Sequence, residues 1–228
     1  MPSSALLASG IMILLPVTLA WVVVRRLGTP VRFLAWGAGT FLLAQAVRLP
    51  LLQGLTALLQ SGALPLPPPA YLAVFNIAIL AVTAGLFEEG ARYLAYRHAI
   101  PDARSWNAAV TFGVGHGGIE SILLGCLMAW QLAALPAGPD TLPWAVPFLG
   151  AVERVFALAL HVALAVVVLQ AITRRNLAWL AAAIGAHAAA NAIGVSVLAG
   201  YGPIAAEAAL GLVAVLALAV LFRLRAAG

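Results

Sequence analysis

No lysine occurs anywhere in this 228-residue chain, and cysteine occurs once, at Cys126. Without lysine there is no Schiff-base chemistry, which excludes the lysine-linked retinal that a helical membrane bundle would otherwise suggest. A single cysteine excludes an intrachain disulfide and says nothing about redox compartment; inside an apolar run it reads as packing. Charge is scarce as well. Only 8% of residues are charged and 64% are hydrophobic, where an ordinary soluble domain carries about 25% charged residues. Water is therefore not the main solvent of this chain. The net charge of +5 comes from twelve arginines against seven carboxylates. These arginines fall in small groups between apolar runs rather than along one stripe, so we read no nucleic-acid partner.

What is present is a series of long apolar runs. A helix needs about 20 mostly apolar residues to cross a bilayer. Seven segments qualify: Ser4 to Val24, Phe33 to Leu52, Tyr71 to Tyr96, Asn107 to Trp130, Trp144 to Ile172, Leu177 to Leu198 and Pro203 to Phe222. The expected fold is an all-α polytopic bundle, a single transmembrane domain over residues 1–228. Turn residues separate the runs at Gly28-Thr29-Pro30, Pro65 to Pro69, Pro101-Asp102, Pro136 to Pro139 and Gly200 to Pro203. The uncharged stretch Met1 to Ser4 lacks the basic region of a secretory signal, so the first run is expected to be a helix of the mature protein. Arginines follow helices one (Arg25, Arg26, Arg32), three (Arg97, Arg104), five (Arg174, Arg175) and seven (Arg223, Arg225), while every alternate loop has none. The positive-inside rule then puts the N-terminus outside and the C-terminus in the cytoplasm.

Ionisable residues inside such helices cost several kcal/mol and mark functional candidates by default. Counted from the cytoplasmic end of its own helix, Glu88 lies about nine residues in, His116 about ten, His187 about eleven and His161 about twelve, all about 13 to 18 Å deep. Four helices thus aim titratable groups at one layer near mid-membrane. Helix three carries Glu88-Glu89-Gly90-Ala91-Arg92, with both carboxylates in reach of the arginine and Glu88 one turn from it. Helix four repeats Phe112, His116 and Glu120 at four-residue spacing among glycines that admit a close neighbour. Helix six places His187 and Asn191 one turn apart, and helix five sets Arg154 and His161 on one face. Several of these have plain structural readings. Glu88 with Arg92 can also be read as a structural bridge, and Glu120 as a group that orients His116. Glu153 and Arg154 read as pairing with each other or with Arg48, and Glu207 as reaching interfacial water.

A carboxylate and a histidine can hold and deprotonate water, and a second histidine with an asparagine amide can stabilise the oxyanion formed on a carbonyl. Glu88, His116, His187 and Asn191 supply that set. Ser121 lies off the His116 face and Ser196 lies over two turns beyond His187, so attack by water is favoured over an acyl-enzyme. The motifs Glu88-Glu89-x-x-Arg92, Phe112-x-x-x-His116 and His187-x-x-x-Asn191 resemble those of the CAAX-protease and bacteriocin-processing superfamily of intramembrane proteases. The stretch Gly115-His116-Gly117-Gly118-x-Glu120 resembles its YhfC-like branch. The resemblance covers Tyr71 to Leu198, expected to be the protease core. It implies glutamic-type peptide-bond hydrolysis in a prokaryotic plasma membrane, acting on a membrane protein or peptide without a cofactor. Glu88 would be the general base, His116 its partner, His187 and Asn191 the oxyanion donors, and Glu89 and Arg92 would order the site. Glu120 and His161 are titratable groups beyond the minimal three-motif site.

Two other readings stand beside it. His116 and Glu120 with His161 or His187 form a candidate zinc set of three protein ligands plus water, although the familiar His-Glu-x-x-His helix is absent. A non-catalytic bundle is the other, either a proton-coupled carrier or a haem protein with two of the four histidines as ligands.

Overall fold

In the computed structural model, residues 3–134 and 146–226 are described. Seven helices fill them: α1 (Ser3–Leu27), α2 (Val31–Gln60), α3 (Pro69–Leu94), α4 (Trp106–Ala134), α5 (Val146–Thr173), α6 (Ala178–Tyr201) and α7 (Pro203–Ala226). No strand occurs among the described residues. Every helix is long and apolar enough to span a bilayer, and the protein is an integral membrane bundle. The expected turn at Pro136 to Pro139 and the expected helix start at Trp144 lie outside the described residues.

Several helices run a few residues past the expected segments, and two of the differences have identifiable reasons. Helix α2 continues eight residues past Leu52, because Pro50 is accommodated within it and the chain turns only at Ser61 and Gly62, where Gly62 adopts φ +77°. Helix α3 ends in a π-helical turn over Ala95–Ala99, which hands the Ile100 amide to the Ala95 carbonyl. Bulges of this kind are frequent beside functional sites.

Helices α4 and α5 form the centre: α4 packs on α1, α2 and α5, and α5 also meets α7, α6 and α1. On their other side α3 pairs with α6 and α2. Outward-facing leucines, valines and tryptophans such as Leu14, Trp21, Leu43 and Leu216 present an apolar surface, as lipid requires. The half of the bundle toward the arginine-bearing α1–α2, α3–α4 and α5–α6 turns is close-packed, with Tyr96, Ile100, Phe112, Val166, Val168 and Leu169 all at 2% exposure or less.

Glycines set the closest crossings. A Cβ on Gly37 would press on the Phe112 carbonyl, and one on Gly115 would press on that of Leu34, so α2 and α4 meet backbone to backbone. At Gly85 a Cβ would lie 2.6 Å from the Ile184 carbonyl oxygen, and at Gly113 2.6 Å from Cα of Val162. These contacts bring α3 onto α6 and α4 onto α5 without side chains between them.

Candidate active site

Each of those crossings lies within about a turn of a residue singled out by the sequence. Gly37 and Gly115 bring Thr40 of α2 to His116 of α4, with Oγ1 to Nδ1 at 3.0 Å. Gly85 brings α3 to α6, and Glu89 Oε1 meets His187 Nδ1 at 2.7 Å. Gly113 and Gly117 seat α4 on α5, so the His116 and His161 ring centres lie 5.2 Å apart. His161 and His187 follow at 5.3 Å. The three histidines and Glu88 therefore form one buried cluster, and the common depth read from sequence is a common site. Phe41 closes one side, edge-on to the His116 ring at 5.4 Å.

Glu88 sits among them. Its Oε2 is 3.0 Å from His116 Nε2 and 3.9 Å from His187 Nε2, and its Oε1 accepts from Gln45 Nε2 at 3.0 Å. The one-turn pairing expected between Glu88 and Arg92 is corrected. Arg92 instead pairs with Glu89, Nη1 to Oε2 at 3.2 Å, and both are fully buried. The same guanidinium donates to the His161 carbonyl at 3.1 Å and to His161 Nδ1 at 2.6 Å. Three- and four-residue spacings are equally plausible on a helix; here the crossing at Gly85 turns Glu89 toward α6, while Glu88 faces α2 and α4.

Glu120 is a second correction. It does not hold His116 from one turn away, because it faces α5: Oε2 meets His161 Nε2 at 2.6 Å and Oε1 accepts from Arg154 at 2.8 Å. Arg154 is shared with Glu153. Arg48, which the sequence allowed as a partner of this pair, instead donates to the Leu80 carbonyl at 2.9 Å, to Thr83 at 3.2 Å and to Gln45 Oε1 at 3.2 Å. Ser121 donates to the Met12 carbonyl at 2.8 Å, consistent with its exclusion as a nucleophile.

The hydrogen-bond partners assign the histidine tautomers. Thr40 gives its one proton to the Gly37 carbonyl at 2.7 Å, so it accepts from His116 Nδ1–H. His187 donates Nδ1–H to Glu89, the carboxylate–histidine arrangement found behind metal ligands. In their neutral forms both rings thus turn an unprotonated Nε2 toward Glu88 Oε2. His161 has the opposite tautomer: Nδ1 accepts from Arg92 and Nε2–H donates to Glu120.

The metal alternative changes accordingly. Glu88, His116 and His161 bring ligand atoms within 4.8 Å of one another, a group in which Glu88 replaces the Glu120 of the sequence-based set. Both His161 nitrogens are engaged, however, whereas His187 Nε2 is free. Glu88, His116 and His187 make the alternative set: Glu88 Oε2 lies 3.0 Å from His116 Nε2 and 3.9 Å from His187 Nε2, and no other side chain hydrogen-bonds to either nitrogen. Two histidines and a glutamate make one of the ligand sets of catalytic zinc sites.

A cavity of about 490 Å³ opens beside the cluster, lined by Glu88, His161, His187 and Asn191 among others. Asn191 makes no side-chain hydrogen bond among the described residues. Sequence reasoning missed Thr40 and Gln45, neutral residues on a helix outside the expected 71–198 core. Only their distance from the glycine crossings of α2 could have pointed to them.

A family described as "YhfC intramembrane metalloprotease" matches residues 11–141 and 137–215. The chain belongs to this family. The YhfC match includes α2, as the geometry of Thr40 and Gln45 requires. The chain is also 32% identical over 133 residues to "Uncharacterized membrane protein YhfC" of Bacillus subtilis (strain 168), which covers 47% of this chain and 52% of that protein. It thus spans about half the length of that curated relative. No solved structure matches.

Proposed function

We propose that the chain is a metal-dependent intramembrane endopeptidase, acting on a membrane-inserted protein or peptide, with Glu88, His116 and His187 as the ligands of a divalent ion. The observation that carries this reading is the convergence of two unprotonated histidine nitrogens on one oxygen of Glu88, beside a cavity at mid-membrane. Lone pairs and a carboxylate oxygen at such distances need a proton or a cation between them.

Formal charge supports the cation. Glu89 is offset by Arg92, and Glu120 and Glu153 share Arg154, whereas Glu88 faces two histidines and Gln45 with no guanidinium paired to it. The description of the YhfC family as metalloproteases agrees. When bound, such an ion supplies Lewis acidity and lowers the pKa of a water molecule toward neutrality.

The chain's own residues do the rest. Thr40 and Glu89 fix the ring orientations of His116 and His187, Arg92 neutralises Glu89, and Asn191 offers its amide to the oxyanion of the attacked carbonyl. Residues 1–228 act as one helical domain whose site draws on α2 through α6.

A second reading is favoured by one contact. Glu88 Oε2 and His116 Nε2, 3.0 Å apart, can share a proton directly. Glu88 is then the base that deprotonates water, as in glutamic-type members of the CAAX-protease superfamily. In that case His187 must gain a second proton to serve as an oxyanion donor, since its Nδ1–H is committed to Glu89.

Metal analysis of the purified protein separates the two. One divalent ion per chain is expected in the wild type, lost in His116→Ala and His187→Ala and retained in His161→Ala. Metal-free protein that still cleaves would replace this reading with the glutamic one.

A further inference from the structure

The cavity is one-sided. Its deepest lining residues, Phe41, Glu88, His161 and His187, belong to the histidine layer; the others lie toward the outer ends of α2 to α7, as Arg48, Glu153, Leu198 and Glu207 show. On the cytoplasmic side of that layer stand the packed side chains of Tyr96, Phe112, Ile100 and Val166. The cavity that reaches Glu88 therefore opens through the half of the bundle that holds Arg48, Glu153 and Glu207, the outer half by the arginine distribution.

Arg48 lines this route with a distinctive set of partners. Its three hydrogen bonds go to a carbonyl, a hydroxyl and an amide oxygen, and no carboxylate pairs with it among the described residues. Of its five N–H groups two remain free. Of the glutamates along the same cavity, Glu120 and Glu153 are committed to Arg154 and Glu88 to Gln45 and His116, while Glu207, near the outer end of α7, forms no ion pair with Arg48 or any other described residue. A guanidinium within a span is costly without a counter-charge. Gln45 links it to the reacting centre, accepting from Arg48 through Oε1 and donating to Glu88 through Nε2.

We propose that substrate enters this cavity from the outer half of the membrane and that Arg48 receives a carboxylate of it, either the chain terminus or an acidic side chain. This deepens the protease reading and rests on it for the word substrate. Arg48 is here a specificity-determining residue, one turn of α2 outward of Gln45.

Site-directed labelling tests both halves without measuring turnover. In a Cys126→Ala background, Ala157→Cys places a thiol in the cavity wall. A membrane-impermeant maleimide is expected to label it in intact cells and not from the cytoplasmic face of inverted vesicles. Labelling from the cytoplasmic face, or from neither, overturns the entry route. In nanodiscs, N-dodecanoyl-glycine and N-dodecanoyl-glutamic α-amide are compared with N-dodecanoyl-glycinamide as protectants of the same thiol. At least one acid is expected to protect about tenfold better than the neutral amide, the size of one charge-assisted hydrogen-bond pair. Which acid does so separates a chain terminus from a side chain. The difference is expected to vanish in Arg48→Gln. Equal protection by acid and amide, or an advantage that survives Arg48→Gln, overturns the role of Arg48. If the protein proves not to be a protease these outcomes still stand, because a chain without turnover is labelled and protected alike.

Discussion

Glu88 carries the most at the scale of single residues, because it is the one carboxylate that faces both histidine nitrogens and the cavity. Glu88→Gln keeps the shape and the acceptor for Gln45 but loses the charge, whether that charge serves a metal or a base. Cleavage is expected to disappear in this variant while the helical signal and melting of the purified protein remain those of a folded bundle. Comparing neo-N-termini in membranes of cells expressing the two forms at matched levels reads the first. Asn191 differs, since nothing in the fold depends on its amide. Asn191→Ala is expected to lower kcat by about 10² to 10³ with little change in stability if the amide stabilises an oxyanion. A variant that melts earlier but turns over normally would assign Asn191 to packing. The choice between Glu88 and Glu89 as partner of Arg92 was not legible in sequence, since residues three and four apart share a helix face equally. It depends on which neighbour each carboxylate meets, a property of helix crossing and not of helix period.

At the scale of elements, the seven helices were legible because a run of about 20 apolar residues has few alternatives in a bilayer. Helix order around the bundle was not, since a helix that is apolar on every side has no periodic face to say where it docks. Thr40 and Gln45 were hidden by that ambiguity. Glycine is the element-level signal that resolves it here. Gly37 and Gly39 lie on the same helix two residues apart, and only Gly37 faces α4; a Cβ at Gly39 meets nothing within 4 Å. Gly37→Ala is therefore expected to push α2 off α4, lengthen the Thr40–His116 contact and cost about 1 to 3 kcal/mol, whereas Gly39→Ala is expected to leave stability unchanged or raise it by up to about 1 kcal/mol. Thermal melts of the two purified variants check this directly. Equal melting would mean that the α2–α4 crossing is looser than its geometry implies.

For the whole molecule, the arrangement of charge links stability to function. Charges within spans are costly when uncompensated, and Glu88 has no guanidinium paired with it, whereas Glu89 has Arg92 and Glu120 has Arg154. A divalent ion at Glu88, His116 and His187 would remove that imbalance and bind only the folded bundle, because no other arrangement brings three helices' ligands together. Binding that favours the folded state raises stability by RT ln(1 + [L]/Kd), about 2.7 kcal/mol at a hundredfold excess over Kd. Chelator-treated protein is thus expected to melt several degrees lower than protein with zinc returned. His187→Ala is expected to remove most of that difference, and His161→Ala to preserve it. If melting is indifferent to zinc and chelator in the wild type, the charge of Glu88 is neutralised by a proton shared with its histidines, and the glutamic mechanism becomes the reading of choice.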